Sequence, residues 1–287
     1  MIICLYHSGD DDGRGSAAIV KYKYPDCKMI GVNYGLPFPW KEIHKDDTVI
    51  MADFCLEPIE QMIELSKKCN LIWIDHHVSA MREASRVNFN PEGTRVIGRS
   101  GCELTWRFLY PSVMMPMAIF LIGRYDVWDH SDSRTLPWMY GLKIEDTSPE
   151  NTDLWSKLIN NDEFTIKKIL ERGVIAFDYQ TKKNKIYANN NAFATKFDGY
   201  KTLAVNVGNE SSLIFADVWD EDVYDIMMSF VFKKDCVSIS VYTTKENIDV
   251  SELAFKYGGG GHAQAAGFSI NNKTSFIKQV FADAYEL

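Results

Sequence analysis

Long apolar runs are missing from this chain, and no segment approaches the roughly 20 residues needed to cross a bilayer. The short run at residues 2–5 does not make a signal peptide, so a cytoplasmic protein with no membrane partner is expected. The six cysteines, Cys4, Cys27, Cys55, Cys69, Cys102 and Cys236, stand singly, which excludes a CxxC zinc or redox site and points to reduced thiols. Basic charge is also scarce: 31 Lys and Arg against 39 Asp and Glu leave a formal charge of −8. That sign does not suit a protein that grips duplex DNA by neutralising many phosphates. Internal repeats of solenoid period are absent, and the glycine run at 258–261 lacks the lysine of a P-loop. Histidine is sparse, with six in the chain, so its placement carries weight.

What remains is the composition of an ordinary folded chain, 46% hydrophobic and 24% charged, whose 287 residues suit two modest domains. Up to about residue 130, short aliphatic runs at 2–6, 48–52 and 71–74 end abruptly in acidic or histidine residues, with helical patterns at 16–22, 58–68, 102–110 and 118–128 between and after them. Continuous apolar strands joined through helices predict a parallel sheet covered on both faces, with ligands beyond the carboxyl ends of its strands. Residues 165–172 and 178–185 read as helices leading to a second unit, and the Lys/Asn-rich run 181–191 reads as a linker. Strands are expected at 202–207, 225–232 and 237–243, followed by a helix at 250–257. The domain boundaries follow as 1–180 and 190–287.

Three places carry chemistry. Residues 7–16, HSGDDDGRGS, set Asp10, Asp11 and Asp12 side by side after a strand. Such a triplet can serve as a polar helix start. Its mutual repulsion is relieved by a divalent cation, and His7 favours manganese over magnesium among ions that accept oxygen ligands. Asp53 ends the second acidic strand, and Asp75-His76-His77 ends the third; paired histidines after an apolar strand are costly unless they bind a metal or a phosphate. Asp126 closes a further apolar segment. In the glycine run, small residues continue past His262 into an apparent helix, whose N-terminus and bare N–H groups suit a phosphate.

In this order, His7, Asp10, Asp12 and Gly13, then Asp53, then Asp75-His76-His77, then Asp126 resemble the motifs of the DHH phosphoesterases. Gly258 to Gly261 with His262, Ala265, Ala266 and Gly267 resemble the glycine-rich signature of the DHH-associated domain of RecJ-like nucleases and short-oligoribonucleotide hydrolases. The resemblance is greatest to the oligoribonuclease and cyclic-nucleotide phosphodiesterase branch.

It implies an α/β protein, an N-terminal parallel-sheet DHH domain and a smaller C-terminal α/β domain with a cleft between them. It further implies two Mn2+ ions, with Mg2+ as the alternative. His7 and Asp10 would hold one ion, Asp12 and His76 the other; Asp53 would bridge them, Asp126 would complete a coordination sphere, and Asp11 stands as the alternative to Asp10. His77 would face the substrate phosphate, making His77 and Asp53 the catalytic pair, while Gly259, Gly260, Gly261 and His262 would hold the nucleotide.

This chain departs from the family in two places. The fourth-motif aspartate position can also align with Arg124, and the strand before the glycine loop has no arginine, which leaves Tyr242 or Lys245 for the substrate contact. The implied substrates are short RNA oligonucleotides or cyclic nucleotides, hydrolysed to nucleoside monophosphates. The alternatives are a phosphomonoesterase acting on 3′-phosphoadenosine 5′-phosphate, a pyrophosphatase, and a non-catalytic nucleotide-binding module. A homodimer is compatible with all of them.

Overall fold

Alternate residues of the first strand, β1 (Ile2–His7), are buried on opposite sides: Ile3 and Leu5 join one core cluster, Cys4 and Tyr6 another. A strand covered on both faces belongs in the middle of a helix-flanked sheet, and the computed structural model, which describes residues 1–208 and 210–281, places it there. The chain divides into two units, Met1–Phe177 and Asp178–Leu287.

In the first unit, β1 is followed by α1 (Asp11–Lys23), β2 (Lys28–Val32), β3 (Thr48–Ala52), α2 (Glu60–Lys68), β4 (Asn70–Asp75), α3 (Val78–Arg86), β5 (Glu92–Arg95), α4 (Gly101–Leu109), α5 (Met117–Asp126), α6 (Thr135–Leu142) and α7 (Thr152–Ile159). The five strands form a wholly parallel sheet of order β2-β1-β3-β4-β5. Helices α2 and α3 pack Met62, Leu65, Ala80 and Ala84 on the face carrying Ile3, Leu5, Met51 and Trp73. On the other face Ala17 and Val20 of α1 and Leu104 of α4 meet Cys4, Tyr6, Ile50 and Ile74. A further cluster joins Ile19 of α1 to Ile119, Ile122, Trp138, Trp155 and Leu158.

This order reverses direction between β1 and β3, the topological switch at which doubly wound sheets bind ligands. The register is equally informative. Tyr6 pairs with Ala52 and Ala52 with Ile74, so His7, Asp53 and Asp75 lie at one level, each one residue further along its strand.

The boundary between the units falls inside α8 (Glu163–Asn191). The run 181–191, expected as a linker, is therefore helical. No glycine or proline occurs between residues 174 and 198 to stop the helix. The asparagines instead support its end, with Asn189, Asn190 and Asn191 each donating a side-chain N–H to the carbonyl four residues back at 2.8–2.9 Å.

The second unit holds β6 (Phe193–Phe197), β7 (Tyr200–Asn206), β8 (Ile226–Phe232), β9 (Val237–Tyr242), α9 (Val250–Lys256), β10 (Gly260–His262), β11 (Ala265–Ile270) and α10 (Lys273–Val280). Its six-stranded sheet has the order β10-β11-β9-β8-β7-β6 and is antiparallel except at β7–β8. Phe197, Phe230, Phe268 and Phe276 fill the core under α9 and α10, each contributing roughly 1.5–3 kcal/mol.

The helix expected after the glycine run is absent: β10 and β11 form a hairpin, since 265–270 alternates buried Ala266 and Phe268 with partly exposed neighbours. Glycine is required for that close approach. A Cβ on Gly259 would stand 2.1 Å from the Gly267 carbonyl oxygen, and Gly261 has φ +144°.

Candidate metal centre

The N-terminal motif is folded by its own helix start. Asp10 caps α1, its Oδ1 accepting from Gly13 N at 2.9 Å, which leaves Oδ2 facing His7. Nδ1 of His7 lies 2.8 Å from that oxygen and 3.7 Å from Asp53 Oδ2, without hydrogen-bond geometry to either. Asp12, the second residue of α1 and 3% exposed, is gripped by a second helix: Gly101 N and Cys102 N, the first amides of α4, donate to its two oxygens at 2.6 and 2.9 Å.

Asp53 follows β3 with φ +56°, a left-handed conformation that aspartate tolerates better than most residues. Its amide donates to Ile74 O, and Gly101 packs so closely that a Cβ there would lie 2.5 Å from Asp53 Cβ. Each oxygen of Asp53 faces a different histidine: Oδ1 is 3.1 Å from His76 Nε2, and Oδ2 faces His7.

His76 Nε2 also lies 3.4 Å from Asp126 Oδ2 and 3.9 Å from Asp12 Oδ2. The result is that Asp53 is shared by two groups of close donor atoms, His7/Asp10/Asp53 and Asp12/Asp53/His76, and by a third with Asp75 and His77. Asp75, fully buried, sits beneath them. Its Oδ1 accepts from His76 N, His77 N and His77 Nδ1, and its Oδ2 from Trp73 Nε1.

Charge at this edge is strongly coupled. Burial opposes an imidazolium at both His7 and His76, but the adjacent carboxylates outweigh it and push each up to about 10. Burial, then the nearby Asp53 charge, raises Asp12 to about 7, while burial and Asp12 hold Asp126 well above the carboxylate range. Asp53 moves the opposite way, because its two histidines overcome the cost of burial. The donor set fits divalent cations. It offers carboxylate oxygens and imidazole nitrogens, with His7 Nδ1 and Asp126 Oδ2 shielded from water and lacking hydrogen-bond partners among the described residues.

Of the residues singled out in the sequence, His7, Asp10, Asp12, Asp53, His76 and Asp126 converge, and His77 adjoins them through Asp75. Asp11 does not enter either group. It lies one helical position round from Asp10 and its carboxylate accepts from Thr147 Oγ1 at 2.8 Å, with Arg14 at 3.9 Å. Arg124 turns instead to the buried Glu103 and to Asp129, at 3.1 and 3.0 Å.

In the second unit, Gly259 N is already used, donating to Ala254 O to close α9. Gly260, Gly261 and His262 form β10, an edge strand paired antiparallel with β11, where a helix N-terminus was expected. The Tyr242 hydroxyl reaches Glu210 O at 3.3 Å, and Lys245 pairs with Asp225.

Several residues at this edge carried no signal in the sequence. A cavity of about 380 Å³ beside Asp10, Asp12 and Asp126 is also lined by Arg14, Tyr125 and Lys143. The Tyr34 ring lies 4.6 Å from Phe54, tilted to it, and 5.8 Å from His7, edge-on. An acidic or histidine residue at a strand end is a local signal, whereas Lys143 reaches the cavity from the end of α6, 17 residues after Asp126.

Residues 199–286 match the DHHA1 domain. The chain is 22% identical to the oligoribonuclease NrnB of Bacillus subtilis strain 168, over 96% of this chain and 75% of that one. Among solved structures it is similar to the pGpG-specific phosphodiesterase PggH from Vibrio cholerae, with a TM-score of 0.53, 15% identity and 99% and 96% of the two chains covered. It is also similar to the DHH domain of a protein assigned to a family of ribosomal proteins, with a TM-score of 0.61, 13% identity and 99% and 86% covered.

Proposed function

We propose that this chain, which carries a DHHA1 domain and is similar to DHH phosphoesterases, is a metal-dependent phosphodiesterase that hydrolyses short oligoribonucleotides or cyclic dinucleotides to nucleoside monophosphates. The observation that carries this reading is the pair of donor groups sharing Asp53 at the β1/β3 switch. His7, Asp10 and Asp53 would hold one cation, and Asp12, Asp53 and His76 the other, with Asp126 against His76. Such a pair, Mn2+ or Mg2+, supplies positive charge to a phosphoryl group and acidifies water.

The chain's own groups set the rest. Asp53, fixed by a strained backbone and by Gly101, determines how the two donor groups are spaced. Asp75 Oδ1, 2.7 Å from His77 Nδ1, raises the His77 pKa against the opposing effect of burial, and His77 is the residue assigned to the phosphoryl oxygens as charge builds there. Arg14 and Lys143 are the cations available to further substrate phosphates in the cavity. In the second unit, Gly260, Gly261 and His262 remain the proposed nucleotide contacts. With a net charge of −8, binding rests on these local groups, which suits a short substrate better than a duplex.

The test is turnover of a labelled dinucleotide, a cyclic dinucleotide, 3′-phosphoadenosine 5′-phosphate and pyrophosphate with Mn2+, beside an Asp53→Ala variant. Hydrolysis of the diesters that Asp53→Ala abolishes supports the reading. Turnover confined to the monoester or to pyrophosphate replaces it, and nucleotide binding with no turnover of any substrate identifies a binding module.

A further inference from the structure

An aromatic group follows Asp126 directly. Trp73, Trp106, Trp138 and Trp155 are buried and Trp40 and Trp219 partly so, whereas Trp128 is 42% exposed. Its indole is nevertheless held in place. The ring lies 4.5 Å from that of His130 and 5.6 Å from that of Tyr125, and Tyr125 stacks on His130 at 6.1 Å. The loop beneath is tied down: Trp128 N donates to Tyr125 O, Asp129 N to Arg124 O, and the Asp129 carboxylate accepts from Arg124 and from Ser131 N. Tyr125 also lines the cavity shared with Asp10, Asp12 and Asp126, so the aromatic group is continuous with the candidate metal centre. The Lys143 ammonium lies 5.7 Å over the Tyr125 ring, adding positive charge at the junction.

A half-exposed indole held by its neighbours beside the candidate metal centre has the properties of a stacking surface: a flat face, little ordering cost and tolerance of any base. We infer that Tyr125, Trp128 and His130 form a shelf on which the nucleobase next to the scissile phosphate stacks, with Trp128 as the contacting face. This rests on the phosphodiesterase reading and assigns it a subsite that discriminates nucleotides from base-free phosphates.

The experiment has two arms. In the first, AMP or GMP is titrated with Mg2+ while tryptophan emission is followed. Saturable quenching is expected in the native protein and not in Trp128→Phe, and ribose 5-phosphate should not quench. Equal quenching in Trp128→Phe, or by ribose 5-phosphate, overturns the shelf. In the second arm, Trp128→Ala should lower kcat/KM for a dinucleotide about tenfold or more, mainly through KM, with Trp128→Phe restoring most of it and an abasic analogue unaffected. Unchanged kcat/KM in Trp128→Ala overturns the shelf and leaves the hydrolase reading intact. Quenching that depends on Trp128 in a native protein that hydrolyses no diester overturns the hydrolase reading and supports the shelf. A change in mass by light scattering on Trp128→Ala would mark the indole as a contact between copies and overturn the proposal.

Discussion

Cation uptake should expel protons, because the carboxylates around His7 and His76 keep both imidazoles charged until a metal replaces those protons. With each pushed up to about 10, both rings carry about one proton at pH 7.5, and Asp12, raised to about 7, carries about a quarter of one. Coordination requires neutral imidazole and ionised carboxylate. His7 belongs to one donor group and His76 to the other, so each ion displaces about one imidazole proton, about two in all, besides any proton given up by Asp126. The apparent affinity of each site then climbs about tenfold per pH unit from pH 6.5 to about 9. Titration calorimetry of chelator-treated protein with Mn2+ in PIPES, HEPES and Tris gives the proton count, as the slope of observed enthalpy against buffer ionisation enthalpy. His76→Gln should reduce the count by about one. A count near zero in the native protein refutes the reasoning, because the rings would then be neutral and Asp53 unpaired with them.

The same ionisations set the stability of the metal-free protein. Both histidines have folded-state values above their ordinary 6.5, so their contribution is fully present below pH 6.5 and fades as pH rises through about 10. Its Tm by scanning calorimetry should fall across that window, and a flat profile would contradict the ion pairing described. Gly101→Ala places a methyl 2.5 Å from Asp53 Cβ and 2.9 Å from Asp12 Oδ2. It should cost roughly 1–3 kcal/mol in denaturant unfolding and about 10–100-fold in metal affinity; unchanged affinity would show that Asp53 is not held there. Asp10→Asn should reduce dinucleotide turnover at least about 100-fold, whereas Asp11→Asn should stay within about tenfold, and the reverse ranking would exchange their roles.

The parallel sheet was legible because its strands are apolar throughout and end in ligand-type residues. β1, β3 and β4 follow directly from that pattern, and their adjacency in the sheet turns three distant motifs into one edge. Strands β2 and β5 carry less of it: KMIGV and EGTR are short and mixed in polarity. Composition misled at 181–191, where Lys and Asn suggested a linker but the lack of any helix breaker let α8 run on. It misled again at 258–267, where glycine suggested a phosphate loop but the alternation in AAGFSI made a hairpin. Choosing between Asp10 and Asp11 needed coordinates, since adjacent residues at a helix start differ by about 100° in direction and only one faces His7. Asp75 was read as part of a histidine motif, and its work of orienting both histidines became visible only through its hydrogen bonds.

The way Asp12 and Asp75 are anchored bears on how the protein trades ions. Main-chain amides of α4 hold the first carboxylate, and two main-chain amides, an imidazole and an indole hold the second, so neither can swing aside when a cation departs. The cast keeps its shape between occupants. The entropy of assembling it is then lost when the chain folds rather than at each capture, and ions should exchange on the timescale of their own dehydration instead of awaiting a rearrangement of the polypeptide.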